Sequence, residues 1–168
     1  RECMFNGLFH IPEPKNEPTL TYAPGSKERT ELQAVLKDML ENPVEVPIII
    51  GGKEVKSEKL VEMRCPHNRA QLLGQYHQAN ALHAHQAIDA ANAAKREWAL
   101  MPWSDRATVM MKAAELLSGK YRQIVNAATM LSMSKTCWQA EIDSACELID
   151  FWRFNPYFMT QIYDDQPM

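Results

Sequence analysis

Apolar and polar positions follow two periods along this 168-residue chain, helical over 27–40 and from residue 79 onward, and strand-like between residues 46 and 76. The densest helical signal is residues 139–155, QAEIDSACELIDFWRFN. Ile142, Ala145, Cys146 and Ile149 recur at helical spacing, and Leu148 and Trp152 widen their stripe. Asp143, Glu147 and Asp150 follow at i, i+4 and i+7, which in a regular α-helix puts three carboxylates on one face beside the stripe. The spacing predicts one packed helix with an acidic flank, in which Asp150 could pair with Arg153 at i, i+3.

In chain order, residues 1–25 read as an extended arm, because Pro12, Pro14, Pro18 and Pro24 exclude helix. Gly25-Ser26 supplies a stop and an N-cap for a helix over 27–40, carrying Leu32, Val35, Leu36, Met39 and Leu40 on one face and ended by Asn42-Pro43. A β-branched run at 46–50, the turn Gly51-Gly52 and a return at Glu54-Val55 predict a hairpin. Further short strands are expected at 60–65 and 72–76, few enough that they should need a sheet supplied by more protein. An alanine-rich helix over 80–100 has small residues on the side of Leu82, Ile88 and Trp98, which allows close helix contact, and Pro102 closes it. Ser104 is the expected cap of a helix over 105–118 that ends at Gly119, and another helix follows over 120–132. After Asn155-Pro156 the pattern turns β-like at Tyr157, Phe158, Met159, Ile162 and Tyr163.

Composition changes this picture little. An apolar share of 46% and a charged share of 23% are those of an ordinary globular chain. A net charge of −3 gives no basic field for nucleic acid, and no apolar run approaches the ~20 residues of a membrane span. Neither nucleic acid nor membrane is therefore expected as a partner. The scattered Cys3, Cys65, Cys137 and Cys146 lack a CxxC pair, which argues against zinc and a disulfide framework and fits a reducing compartment. Because the chain begins with Arg1, a processed or truncated start is expected, with any targeting peptide upstream.

Several chemical signals dissolve on inspection. Ser134-Lys135-Thr136 lacks the glycines and the preceding strand of a P-loop. His83 and His85 are two apart on a predicted helix, where metal pairs use i, i+3 or i, i+4, so His77, His83 and His85 do not read as a metal site. Cys146 lies on the apolar stripe, where a neutral thiol packs rather than reacts, with nothing basic forced beside it. Arg106, Arg122 and Lys135 read as ordinary exposed charges, and the ten methionines as core filling.

From residue 46 onward the order of motifs resembles the N-terminal part of an aldehyde dehydrogenase. It is carried by Ile48-Ile49-Ile50-Gly51-Gly52, Trp98 closing the alanine-rich helix, and Asp105-Arg106-Ala107 opening the next. Lys112-Ala113-Ala114-Glu115-Leu116-Leu117 and Lys135-Thr136 before Ala140-Glu141-Ile142-Asp143 complete it. The lead-in Ile11-Pro12-Glu13-Pro14-Lys15-Asn16-Glu17-Pro18, Gly25-Ser26-Lys27-Glu28-Arg29 and Glu147-Leu148-Ile149-Asp150-Phe151-Trp152-Arg153-Phe154-Asn155 resemble the branch of that family acting on glutamate γ-semialdehyde.

The resemblance implies an α/β fold: the N-terminal, mostly helical part of a Rossmann-like NAD-binding domain with short hairpin strands, incomplete here. It divides the chain into an arm and first helix at 1–45, the NAD-binding-domain segment at 46–155, and the start of an oligomerisation strand at 156–168. It implies NAD-dependent oxidation of glutamate γ-semialdehyde to glutamate in proline breakdown, through a cysteine thiolate and a glutamate-activated water. By the same resemblance the nucleophile, the general base and the glycine-rich cofactor loop follow the last residue of this chain. No catalytic, cofactor-binding or metal residue is therefore expected in it, NAD is expected on other parts of the protein, and the segment alone is expected to be inactive. Glu147 is the one site residue that the resemblance implies, beside the aldehyde pocket, where a carboxylate could place a cationic α-amino group. Full-length relatives imply a homo-oligomer and a mitochondrial matrix location. A short, non-catalytic interaction protein derived from the same fold, or a different aldehyde dehydrogenase, remains the alternative.

Overall fold

The structure is a computed structural model that describes residues 10–165. Residues 10–23 form an arm without regular secondary structure, which leads into α1 (Lys27–Glu41). Ser26 caps α1 by accepting the Arg29 N–H at 3.3 Å, and Asn42 ends it, as the pattern predicts.

The expected strand at 46–50 is two strands. Pro47, which has no N–H to give a ladder, separates β1 (Val44–Val46) from β2 (Ile48–Ile50). The two join different sheets. β2 pairs antiparallel with β3 (Lys53–Val55) around Gly51 and Gly52, both at positive φ, as a two-residue hairpin turn of this hand requires. β1 instead runs parallel to β5 (Asn68–His77), whose other edge takes β4 (Leu60–Cys65) antiparallel, in the order β1-β5-β4. Three of the five strands thus find a sheet within the chain itself. Gly74 permits the parallel contact: a Cβ there would stand 2.2 Å from the Val44 carbonyl oxygen.

Helices α2 (Ala81–Leu100), α3 (Trp103–Ser118) and α4 (Arg122–Met133) follow. α2 starts in a capping box between Asn80 and His83, yet none of its residues is buried among the described residues, its small-residue side included. α3 begins before the expected cap. Pro102, its torsion already suited to helix entry, takes the N-cap place without a side-chain bond, and Ser104 lies inside the first turn.

The last stretch departs most from expectation. α5 (Cys137–Ala140), a π-helical turn (Glu141–Cys146) and α6 (Glu147–Asp164) follow one another without a break. Residues 157–164 are helical, not the expected strand, and 166–168 lie outside the described residues. Pro156 sits inside α6 and forfeits a backbone bond, but packing along α3 carries the helix onward. Trp103 stacks on Tyr163 at 6.2 Å, and Arg106 Nη2 donates to the Tyr163 hydroxyl at 2.8 Å. Tertiary contacts here outweigh the local β preference of the aromatics.

Two apolar clusters hold the helices together. One joins Ala114 and Leu117 of α3 to Ala145 and Ile149, with Val125 and Trp152 against it. The other joins Tyr22 of the arm, Leu32 of α1 and Ala127 of α4. No helix among the described residues is long and apolar enough to cross a membrane.

Candidate functional site

The predicted acidic face does not survive the π-turn. The Glu147 N–H reaches the Ile142 carbonyl, an i→i−5 bond, so one extra residue enters the helix just before Glu147. The three carboxylates diverge. Asp143 pairs with Lys135. Asp150 accepts from Asn16 Nδ2 and the Glu17 N–H, each at 2.7 Å, and so binds the arm rather than Arg153. Arg153 donates to Glu17 Oε2 at 2.5 Å. Glu147 stays exposed.

Beneath the π-turn lies a polar cluster that the sequence reading missed. The Glu141 side chain is completely buried, and its carboxylate accepts from Arg122, the Leu20 amide at 2.7 Å, Tyr22 Oη at 2.8 Å and Asn126 Nδ2 at 2.8 Å. Arg122, expected on the surface, is 4% exposed and also donates to Glu17 Oε1 at 2.5 Å and the Pro18 carbonyl at 2.8 Å. A buried charge is tolerable only when paired in this way. The available signal was Glu141 itself, a carboxylate set four residues before Ala145 and eight before Ile149, in line with the apolar stripe.

Electrostatics follow from this packing. Burial pushes the Glu141 carboxyl up, but the Arg122 guanidinium, the Leu20 amide and the Tyr22 hydroxyl outweigh it and hold the group below the usual carboxylate range. Burial, with the Glu141 charge beside it, raises the Tyr22 phenol above its ordinary value. Burial and the same charge raise the Cys146 thiol, although Arg122 Nη2, the base not anticipated there, stands 3.5 Å from Sγ. A thiol so placed is a poor nucleophile.

Along α6 lies an apolar cleft of about 400 Å³, with Phe151, Asn155 and Met159 of α6 on one wall and Trp98 of α2 with Arg106 and Met110 of α3 opposite. Glu147 does not line the cleft itself. It stands one helical turn before Phe151, at i, i+4 on the same helix, and is exposed.

The remaining candidates are committed elsewhere. Cys65 is buried with Sγ 3.2 Å from His67 Nε2, Cys137 is half-buried, and Cys3 lies outside the described residues. His77 Nε2 lies 3.0 Å from Glu45 Oε1, while His83 serves the α2 capping box. Ser134 adopts a left-handed conformation at the end of α4, Lys135 pairs with Asp143, and Thr136 caps α5. Among the described residues no glycine-rich strand-to-helix turn offers amides to a dinucleotide pyrophosphate.

Residues 53–167 match the aldehyde dehydrogenase family, and the chain belongs to that family. Delta-1-pyrroline-5-carboxylate dehydrogenase of Agaricus bisporus is 47% identical over 160 residues, covering 95% of this chain and 29% of the relative. The mitochondrial delta-1-pyrroline-5-carboxylate dehydrogenase of Mus musculus is 43% identical over 153 residues, covering 91% of this chain and 27% of the relative. The crystal structure of the Mycobacterium tuberculosis delta-pyrroline-5-carboxylate dehydrogenase superposes with a TM-score of 0.94 at 42% identity, over 98% of this chain and 31% of that one. The same enzyme has been solved with NAD bound. This chain therefore spans less than a third of the length of these relatives.

Proposed function

We propose that this chain serves, within a polypeptide of its relatives' length, in the NAD-dependent oxidation of glutamate γ-semialdehyde to glutamate during proline breakdown. The supporting observation is the likeness to pyrroline-5-carboxylate dehydrogenases over nearly the whole chain, at 47% identity to the Agaricus bisporus protein and 42% to the solved Mycobacterium tuberculosis one. In this reading α6 and α3 form one wall of the aldehyde site. The apolar cleft shields the carbon chain of the substrate from water, and Glu147 at its lip attracts the α-ammonium group, since a charge-assisted hydrogen bond also orients what it holds. NAD, the nucleophile and the general base would come from the rest of such a polypeptide, which would act as a homo-oligomer. A mitochondrial location follows the relatives from mouse and zebrafish, whose names carry it.

Glu147→Ala in the complete enzyme tests the reading. Loss of a hydrogen bond to a charged group should lower kcat/KM for the semialdehyde by about tenfold to a hundredfold, mainly through KM. An unchanged kcat/KM would show that Glu147 has no part in the pocket.

A further inference from the structure

The π-turn directly before Glu147 is held at both ends by one buried side chain. Arg122 donates to Glu141, the first residue of the turn, and its Nη2 stands 3.5 Å from Cys146 Sγ, the last. Residues five apart lie roughly 140° from each other in an α-helix, so one guanidinium meets both less readily there. A π-turn, closed by i→i+5 bonds, brings the two nearer to one face. The arm reinforces the arrangement from the far side: Leu20 and Tyr22 bond Glu141, and Thr19 Oγ1 lies 3.9 Å from Cys146 Sγ. Ser144, in the middle of the turn, donates to Thr129 Oγ1 of α4 at 2.7 Å. The extra residue turns everything downstream by about 100° relative to a continuous α-helix, and Glu147 is the first residue to take the new direction, its own amide closing the turn.

We infer that Arg122 and Glu141, braced by Tyr22, are positioning residues for substrate recognition: by holding the π-turn they aim Glu147 at the ammonium group of the aldehyde substrate. This rests on the proposed role of Glu147. π-turns inside α-helices are rare and recur at functional sites. Here the device has a visible purpose, because with α register Glu147 would point about 100° away from its present direction.

Steady-state kinetics on the complete enzyme separates aiming from mere stability. Two substrates are compared: glutamate γ-semialdehyde, and propanal, which has no ammonium group for Glu147 to hold. Glu141→Gln keeps the shape of the side chain, and Tyr22→Phe removes a single hydroxyl in case the first variant does not fold. Since a misplacement of ~1 Å can cost up to ~100-fold, each variant is expected to raise KM for the semialdehyde by about tenfold or more while kcat/KM for propanal holds within about twofold. Glu147→Ala should show the same split, and the double variant Y22F/E147A should be no worse than Glu147→Ala alone, since both changes remove one interaction. Equal losses for both aldehydes, or no loss in the Glu141 and Tyr22 variants beside a clear split in Glu147→Ala, would overturn the positioning role and leave the pocket reading intact. No split in Glu147→Ala would overturn the pocket reading, and with it the route through Glu147.

Discussion

Glu141 shows how much one buried carboxylate can organise. It ties the arm, α4 and the π-turn to a single point, and it can remain charged there only because Arg122, Tyr22, Asn126 and the Leu20 amide surround it. Its carboxyl titrates lower in the fold than in the unfolded chain, so its contribution to stability is present above the usual carboxylate value of about 4.3 and is lost as pH falls through the depressed one. Tyr22 behaves in the opposite sense. Its raised phenol contributes fully below about pH 10 and loses that contribution as pH rises toward the folded value. Melting temperature followed against pH should therefore fall on both sides. Glu141→Gln should flatten the acid limb and Tyr22→Phe the alkaline limb; limbs unchanged in these variants would place the titrations elsewhere. Glu141 did not stand out at the level of sequence, since a polar residue in a half-apolar helix is usually solvated, and Tyr22 lies in an arm with no periodic pattern.

Among the elements, the cap of α1 and the hairpin turn were legible in advance because their cause is local, whereas the Ser104 cap was displaced by Pro102. Ser26 before α1, Gly51-Gly52 between β2 and β3, and the Leu60–Cys65 strand all stand where the pattern puts them. The failures share another cause. Pro47 splits one apolar run between two sheets, and a β-like run after Pro156 becomes helix because α3 lies alongside. The parallel pairing of β1 with β5 belongs to the same class, since it joins residues thirty apart through the absence of a side chain at Gly74. Gly74→Ala would drive a Cβ into the Val44 backbone, which has no rotamer to retreat into. A stability loss of about 1–3 kcal/mol is expected, read by chemical denaturation. A neutral substitution would mean that β1 shifts freely.

Across the whole molecule the described residues leave much apolar surface uncovered, with Leu82, Phe151 and Ile162 each more than half exposed. Patches of this kind mark surfaces that other protein covers, in keeping with relatives more than three times as long. The purified 168 residues are expected to form no NADH from glutamate γ-semialdehyde and NAD, because among the described cysteines Cys65 and Cys146 are buried, Cys137 is half-buried and the Cys137 and Cys146 thiols are raised. Measurable turnover followed by NADH absorbance would contradict this.

Family membership was written in the sequence itself, in the order of short motifs from Ile48 to Asn155, because such motifs are local strings that survive without knowledge of the fold. The helices on either side of the candidate cleft were accessible up to Asn155, since periodicity of apolar residues depends only on near neighbours, but the continuation of α6 past Pro156 was not. Nor was the direction of Glu147. Periodicity assumes one fixed turn per residue, and a single π-turn, held by Arg122 from a different helix and by an arm more than a hundred residues away in the chain, alters that turn where it matters most. Only the packing of distant segments could decide it.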